Sequence, residues 1–289
     1  MFRTYLLLLL VVGTFQYGFS QDQDSLTIVQ TRWAKKGIGS RSKLITHHFN
    51  TKNLFGANQN ISYVEVKNNR KRPVFAIGSE LKVLKPTSTF GNEANALAAI
   101  NGTFFDVKNG GSVDLIKVNG TIVAQNRLDQ ANNRSPNQQA AILIEDGKLS
   151  IEKWDGSADW ELKEQANNMM VTGPLLTLDG SEVFLDSGSF NVTRHPRTAI
   201  GLKPNGKVVI LTVDGRNENS AGMSLFELRK VLRWLGCSTA INLDGGGSTT
   251  LWVNGYGENG VVNYPTDNKK WDHNGERKVA NVILLKKKP

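Results

Sequence analysis

The 289-residue sequence contains a single cysteine, Cys237. No intrachain disulfide can form, which excludes a small domain stapled by bridges. The four histidines, His47, His48, His195 and His273, lack any His-x-x-x-His or comparable spacing, so no zinc signature is present. No Gly-x-Ser-x-Gly elbow occurs, and no Gly-Lys-Ser/Thr completes a Walker-type phosphate loop. Internal repeats, low-complexity blocks and Pro/Ser-rich linkers are absent as well. Past residue 20 no stretch is apolar enough to span a bilayer, which takes about 20 residues. What remains is an ordinary globular composition, 39% hydrophobic and 21% charged, which excludes a disordered chain. The net charge is +9 and the pI about 9.6, but basic residues are spread along the whole chain. Such a spread permits an anionic ligand without pointing to nucleic acid.

Residues 1–20 read as a secretory signal. Arg3 supplies the positive start, residues 6–12 a short apolar core, and Gly18 and Ser20 the small residues before Gln21. Export to a periplasm or exterior is expected, and the lack of paired cysteines favours a bacterial compartment.

The body of the chain is punctuated by turn dipeptides. Residues 116–118 and 121–124 flank Asn119-Gly120, and residues 140–144 and 148–151 flank Asp146-Gly147. Both pairs predict hairpins, because Asn-Gly and Asp-Gly tolerate the positive φ of a type I′ turn. Further strands are expected around 26–33 and 43–49, and a weak helix at 92–98. One helix is clear: Leu225, Leu228, Val231, Leu232 and Leu235 make one apolar stripe, opened by the capping box Ser224/Glu227 and closed by Gly236. The fold class is therefore α+β: a single domain with a large, mostly antiparallel or mixed β-sheet system, few helices and one strand–helix–strand unit.

That unit carries the candidate site. Residues 207–213 and 239–243 are short apolar runs on either side of the capped helix, which predicts parallel strands in one sheet. Each ends in acid plus glycine, Asp214-Gly215 and Asp244-Gly245-Gly246-Gly247. Loops after the carboxyl ends of parallel strands are where such folds bind ligands, so the two carboxylates should meet at one crevice. Three glycines allow close backbone approach and could present N–H groups to an anion, with Ser248 and Thr249 following. Arg197 and Arg216 are candidate phosphate ligands, since a guanidinium binds phosphate through two parallel hydrogen bonds. Asn101, Gly102, Thr103, Phe104 and Phe105 form a further element that could bind a sugar through Asn101 or stack one on a phenylalanine. A hard cation (Ca or Mg) on Asp214 and Asp244 stays open without being required.

The order of these motifs resembles the phosphodiester glycosidase family: Asn101-Gly-Thr-Phe-Phe, Arg197-Thr-Ala-Ile-Gly, Asp214-Gly-Arg, the Gly222-Met-Ser-Leu helix start, and Asn242-Leu-Asp-Gly-Gly-Gly-Ser-Thr-Thr. A tail follows in the same order, Asn254-Gly, Tyr264-Pro-Thr-Asp267, Trp271 and Arg277-Lys-Val. The likeness covers roughly residues 90–285. It implies a catalytic region over 90–289, with 21–89 as the N-terminal β-rich portion of the same domain.

What it implies chemically is hydrolysis of a sugar-1-phosphodiester of the GlcNAc-1-phosphodiester kind, with no required cofactor. Asp214, Asp244 and Arg197 would be catalytic. Asn101, Gly102, Thr103, Phe104, Phe105, Arg216, Asn242, Gly245, Gly246, Gly247, Ser248 and Thr249 would bind substrate. Two residues depart from the family pattern: Thr103 stands where a glycine is expected, and Arg216 where animal members carry an uncharged amide. Two other classes fit the same residues, a non-catalytic glycan- or wall-binding module and a metal-dependent phosphodiesterase cleaving P–O.

Overall fold

The computed structural model of the protein describes residues 22–69 and 73–287. The expected secretory signal lies outside the described residues. Three sheets hold the chain, and every adjacent strand pair is antiparallel. The eight-stranded sheet runs in the order Ala34–Gly39, Ser42–Leu54, Ala57–Lys67, Lys207–Val213, Arg197–Leu202, Thr239–Asn242, Leu175–Leu178, Ser181–Glu182. A five-stranded sheet has the order Thr121–Ala124, Ile116–Val118, Asn168–Val171, Ala140–Glu145, Lys148–Lys153. The third is Leu251–Val253, Ala96–Asn101, Asn281–Lys286, Val74–Ser79. Both predicted hairpins are present.

The apolar runs are continuous because their strands are buried on both faces. Val208 and Ile210 enter a core shared with Ile100, Ile142 and Ile283 of the other two sheets. Val209, Leu211 and Val213 point the other way, toward Leu228, Val231 and Leu232 of the helix Leu225–Trp234. The capping box is formed as expected: Glu227 N–H donates to Ser224 Oγ at 3.2 Å, and Ser224 N–H donates to Glu227 Oε2 at 2.9 Å.

Two expectations are corrected. Residues 23–30 are helix rather than strand, capped by Asp22, and bury Ile28 against the same core as the long helix. The short helix lies earlier than expected, at Thr87–Glu93, and Ala96–Asn101 is a strand. Asn95 at φ 47° reverses the chain between them, and burial of all six strand residues overrides the helix preference of alanine. The strands Lys207–Val213 and Thr239–Asn242 are parallel, but Arg197–Leu202 lies between them and pairs with both.

Candidate active site

Side chains alternate along a strand, so Asp214, one past Val213, points into the space between sheets rather than toward the helix. It is 1% exposed. Its Oδ2 accepts from Asn60 Nδ2 at 2.8 Å, and its Oδ1 accepts from Asn263 Nδ2 at 2.8 Å and Tyr264 N–H at 3.0 Å. Burial raises its carboxyl above the ordinary range, and these three donors offset part of that rise. Sealed and held by these three donors, Asp214 braces the site in this structure, where a catalytic role was expected of it.

Asp244 is the accessible acid. It follows the Thr239–Asn242 strand and keeps part of its surface open. Its N–H donates to Gly102 O at 3.0 Å, and Asn101 Nδ2 donates to its carbonyl at 2.6 Å. Burial pushes its carboxyl up to about 6, against the neighbouring Ser248, the Gly245 amide and the Arg277 charge. A group with that value is ionised at neutral pH yet remains a usable base.

The glycine loop beyond it is less free to bind an anion than its sequence suggests. Gly245 N–H donates to Asp244 Oδ1 and Gly246 N–H to Pro196 O, both at 2.9 Å. Of the three amides only that of Gly247 has no partner among the described residues. The glycines instead make room for cations. A Cβ on Gly246, at φ 60°, would lie 3.1 Å from Arg216 Nη2, and one on Gly247 would lie 2.5 Å from Arg277 Nη2. Arg216, itself at φ 60°, is exposed and has no ion-pair partner among the described residues. Its Nη2 lies 3.4 Å from Nδ1 of His195, whose imidazole is held below its ordinary value by burial and by the charges of Arg197 and Arg216. Arg277 is steadied by Asp267, with Nε at 3.0 Å and Nη2 at 2.6 Å from Oδ1.

Arg197 is a different residue from the one expected. It is 1% exposed; Nε donates to Met223 O at 2.8 Å, and Nη2 donates to Phe190 O at 2.6 Å and Thr193 O at 2.9 Å. The Phe190 ring sits 4.9 Å from its guanidinium. It fastens the 189–193 segment beneath the site, so Arg277 replaces it beside Arg216 as the second cation.

Other expected substrate contacts are also struts. Asn101 Oδ1 accepts from Thr198 Oγ1 at 2.8 Å and Thr250 N–H at 3.1 Å; Asn242 Nδ2 donates to Gly173 O and Leu243 O. Both are buried, as are Gly102, Thr103, Ser248 and Thr249. Phe105 belongs to the core around Trp252, whereas Phe104 is partly exposed and meets Phe190 edge-on at 6.0 Å. One side of the site is walled by the loop after residue 262, where Tyr264 stacks on Trp271 at 4.1 Å and leans on His273 at 4.4 Å. Among the described residues no three His, Cys, Asp or Glu side chains converge to hold a metal.

Asp114, Asn60 and Asn263 carry no signal of a place in this site in the sequence: Asp114 and Asn263 are isolated polar residues, and Asn60 ends the polar run 58–60. Arg277 could have been found, since it stands in the ordered tail that supports the family resemblance.

The profile of the family described as phosphodiester glycosidase matches residues 94–286. The chain belongs to that family. The mouse N-acetylglucosamine-1-phosphodiester alpha-N-acetylglucosaminidase is 27% identical over 216 residues, 66% of this chain and 38% of the relative. The bovine enzyme of the same name is 40% identical over 106 residues, 35% of this chain and 19% of the relative. The matches thus span well under half the length of these curated relatives. The solved catalytic domain of the zebrafish enzyme of that name has a TM-score of 0.66 at 21% identity, covering 89% of this chain and 88% of that one, which establishes the shared fold. Asp114, Asp214, Arg216, Asp244 and Arg277 all fall in the matched segment. Asn60 comes from outside it, so the N-terminal strands complete the frame around Asp214.

Proposed function

We propose that the chain is an exported hydrolase that cleaves a sugar-1-phosphodiester, of the GlcNAc-1-phosphodiester type, at the glycosidic C–O bond. One observation carries this reading: an acid, Asp244, that keeps part of its residue surface open shares a side-chain-free loop with two guanidinium groups, Arg216 and Arg277. A sugar-1-phosphodiester matches both halves of that site, an anion for the cations and an anomeric carbon for the acid. The names of the mouse and bovine relatives support N-acetylglucosamine as the sugar. Residues 1–20 support export, and a signal-bearing chain with dispersed basic residues calls for no nucleic-acid partner.

The departing phosphate monoester is stable and needs little protonation. The protein's task is to hold the anion and to stabilise an oxocarbenium-like transition state. Arg216, Arg277 and the free Gly247 amide hold the phosphate; fixed charges in a partly dry site cost little reorganisation as the bond breaks. Ionised Asp244 faces the anomeric carbon as nucleophile or as the base for an attacking water, and the product's anomeric configuration separates the two. No step calls on a cofactor.

Incubation of the purified protein with a GlcNAc-α-1-phosphodiester in heavy-oxygen water tests the reading. Label in the released sugar supports it. Label in the phosphate would show P–O cleavage and overturn it. Binding without turnover across a set of sugar-1-phosphodiesters would turn it into a glycan-binding module.

A further inference from the structure

Three glycines make room for one stretch of backbone beside the site, His195-Pro196. A Cβ on Gly215 would lie 2.7 Å from Pro196 N, one on Gly245 2.7 Å from Pro196 O, and one on Gly222 2.5 Å from His195 C and O. Any side chain at those positions would push this backbone away. The dipeptide is also pinned by hydrogen bonds. His195 N–H donates to Met223 O at 3.2 Å, Met223 N–H donates to His195 O at 3.0 Å, and Gly246 N–H donates to Pro196 O at 2.9 Å. His195 is thereby fixed against the glycine loop that carries Asp244.

Arg216 reaches the imidazole from the rim of that loop. Its Nη2 lies 3.4 Å from His195 Nδ1. A guanidinium has donors only, so Nδ1 must accept, and an accepting ring nitrogen carries no hydrogen. The one proton of the neutral ring is therefore on Nε2. A doubly protonated ring would set N–H against N–H. Burial, first, and then the charges of Arg197 and Arg216 also act against it. Nε2 has no hydrogen-bond partner among the described residues, and His195 is only half-buried. His48 and His273 differ in this respect: each donates a ring N–H to a main-chain carbonyl at 2.8 Å. Their rings serve the frame. The Nε2–H of His195 is left to a ligand.

We propose that His195 is a phosphate-binding residue of this site: its Nε2–H donates to an oxygen of the departing phosphate monoester, while its Nδ1 orients the Arg216 guanidinium. This rests on the reading of the site as one that cleaves a sugar-1-phosphodiester. The diester carries one negative charge, and the monoester departs with close to two. A neutral donor already in place gains strength as that charge arrives. A third full cation would bind the diester tightly before reaction and gain less from the change.

Long-range proton–nitrogen correlation NMR of the full chain, labelled at the histidine rings, reads the tautomer directly. The probe is methyl phosphate at about pH 8, above the ordinary imidazole range. The expected result is a neutral ring with its proton on Nε2, and a shift on adding methyl phosphate that is larger at Nε2 than at Nδ1. H195F removes the donor, and its Kd for methyl phosphate rises about tenfold. H195Q, whose side-chain amide reaches the place of Nε2, recovers most of that loss, which a merely structural ring would not allow. A proton on Nδ1, a ring that becomes doubly protonated on binding, or ring signals that methyl phosphate leaves unchanged overturns the proposal. These spectra decide alone should H195F fail to fold. Wild-type affinity in a folded H195F overturns it as well. With a GlcNAc-1-phosphodiester, H195F should lower kcat about tenfold with a smaller change in KM. Methyl phosphate held through Nε2 by a protein that hydrolyses no sugar-1-phosphodiester would overturn the functional reading and leave His195 standing as an anion-binding residue.

Discussion

Asn263 Nδ2 donates at once to Asp214 Oδ1, at 2.8 Å, and to the carbonyl of Thr249, at 3.0 Å. One amide thus ties the acid at the end of the Lys207–Val213 strand to the far end of the glycine loop. Asp214 works through this tie. It sets where the loop lies, and Asp244 at the head of that loop is left to face the ligand.

The two acids should therefore fail differently when replaced. Asp214→Ala leaves Asn60 Nδ2, Asn263 Nδ2 and the Tyr264 amide without their acceptor in a buried place. Each stranded donor costs about 1–3 kcal/mol, so a loss of about 3 kcal/mol or more is expected in denaturant unfolding. Asp244→Asn should lower kcat by about 10²–10⁴ with no loss of stability. A stable, inactive Asp214→Ala would move that acid back into the chemistry.

The arginines divide in the same way. Arg216→Gln and Arg277→Gln each remove a cation from the rim of the glycine loop, and KM for a phosphodiester should rise about tenfold in each. The effect should shrink with added salt, because both side chains reach solvent. Arg197→Gln strands the carbonyls of Met223, Phe190 and Thr193 and loses the contact with the Phe190 ring. Its expected signature is a fall in stability of about 2–4 kcal/mol. Michaelis kinetics and thermal melts on the three variants separate the two outcomes.

Much of this architecture is legible in the sequence, and the reasons are local. The helix after Ser224 announces itself by its cap and its apolar stripe, and the two hairpins by Asn119-Gly120 and Asp146-Gly147. The placement of Asp214 and Asp244 at the same end of one sheet also follows from pattern, because a strand–helix–strand unit leaves few alternatives. What pattern does not carry is which acid is sealed. That depends on Asn60, Asn263 and Tyr264, brought from 154, 49 and 50 residues away. Arg197 shows the same limit: nothing adjacent to it foretells that three distant or looping carbonyls will take its donors. Residues 23–30 were misread for a related reason, since Ile28 finds its burial against a helix two hundred residues later.

A methyl group at the loop tests the cradle directly. In Gly247→Ala the new carbon would lie 2.5 Å from Arg277 Nη2 and 2.6 Å from Asp267 Oδ1, so this ion pair must withdraw. Both groups end in solvent-reaching side chains, and the shift should cost about 1 kcal/mol or less. KM should nevertheless rise as far as in Arg277→Gln, and the double variant should add little more. Additive effects would show that Gly247 serves the ligand through its own amide and not through Arg277.

Activity and stability should respond to pH in opposite directions. The carboxyls of Asp244 and Asp114 stand at about 6 in the folded protein, raised from an ordinary value of 3.8 by burial. As pH rises through that interval the unfolded chain gives up these protons first, so stability is full below about pH 4 and declines until about pH 6. The decline is about 1–2 kcal/mol for each group, and Asp244→Asn should remove its share. Over the same interval kcat/KM should climb, reaching half its plateau near pH 6, because only ionised Asp244 can act on the anomeric carbon or its water. Denaturant unfolding and initial rates measured on the same buffers give both curves. A stability curve that rises with pH would mean that Asp244 gains a cation on folding, with Arg277 released from Asp267 to provide it.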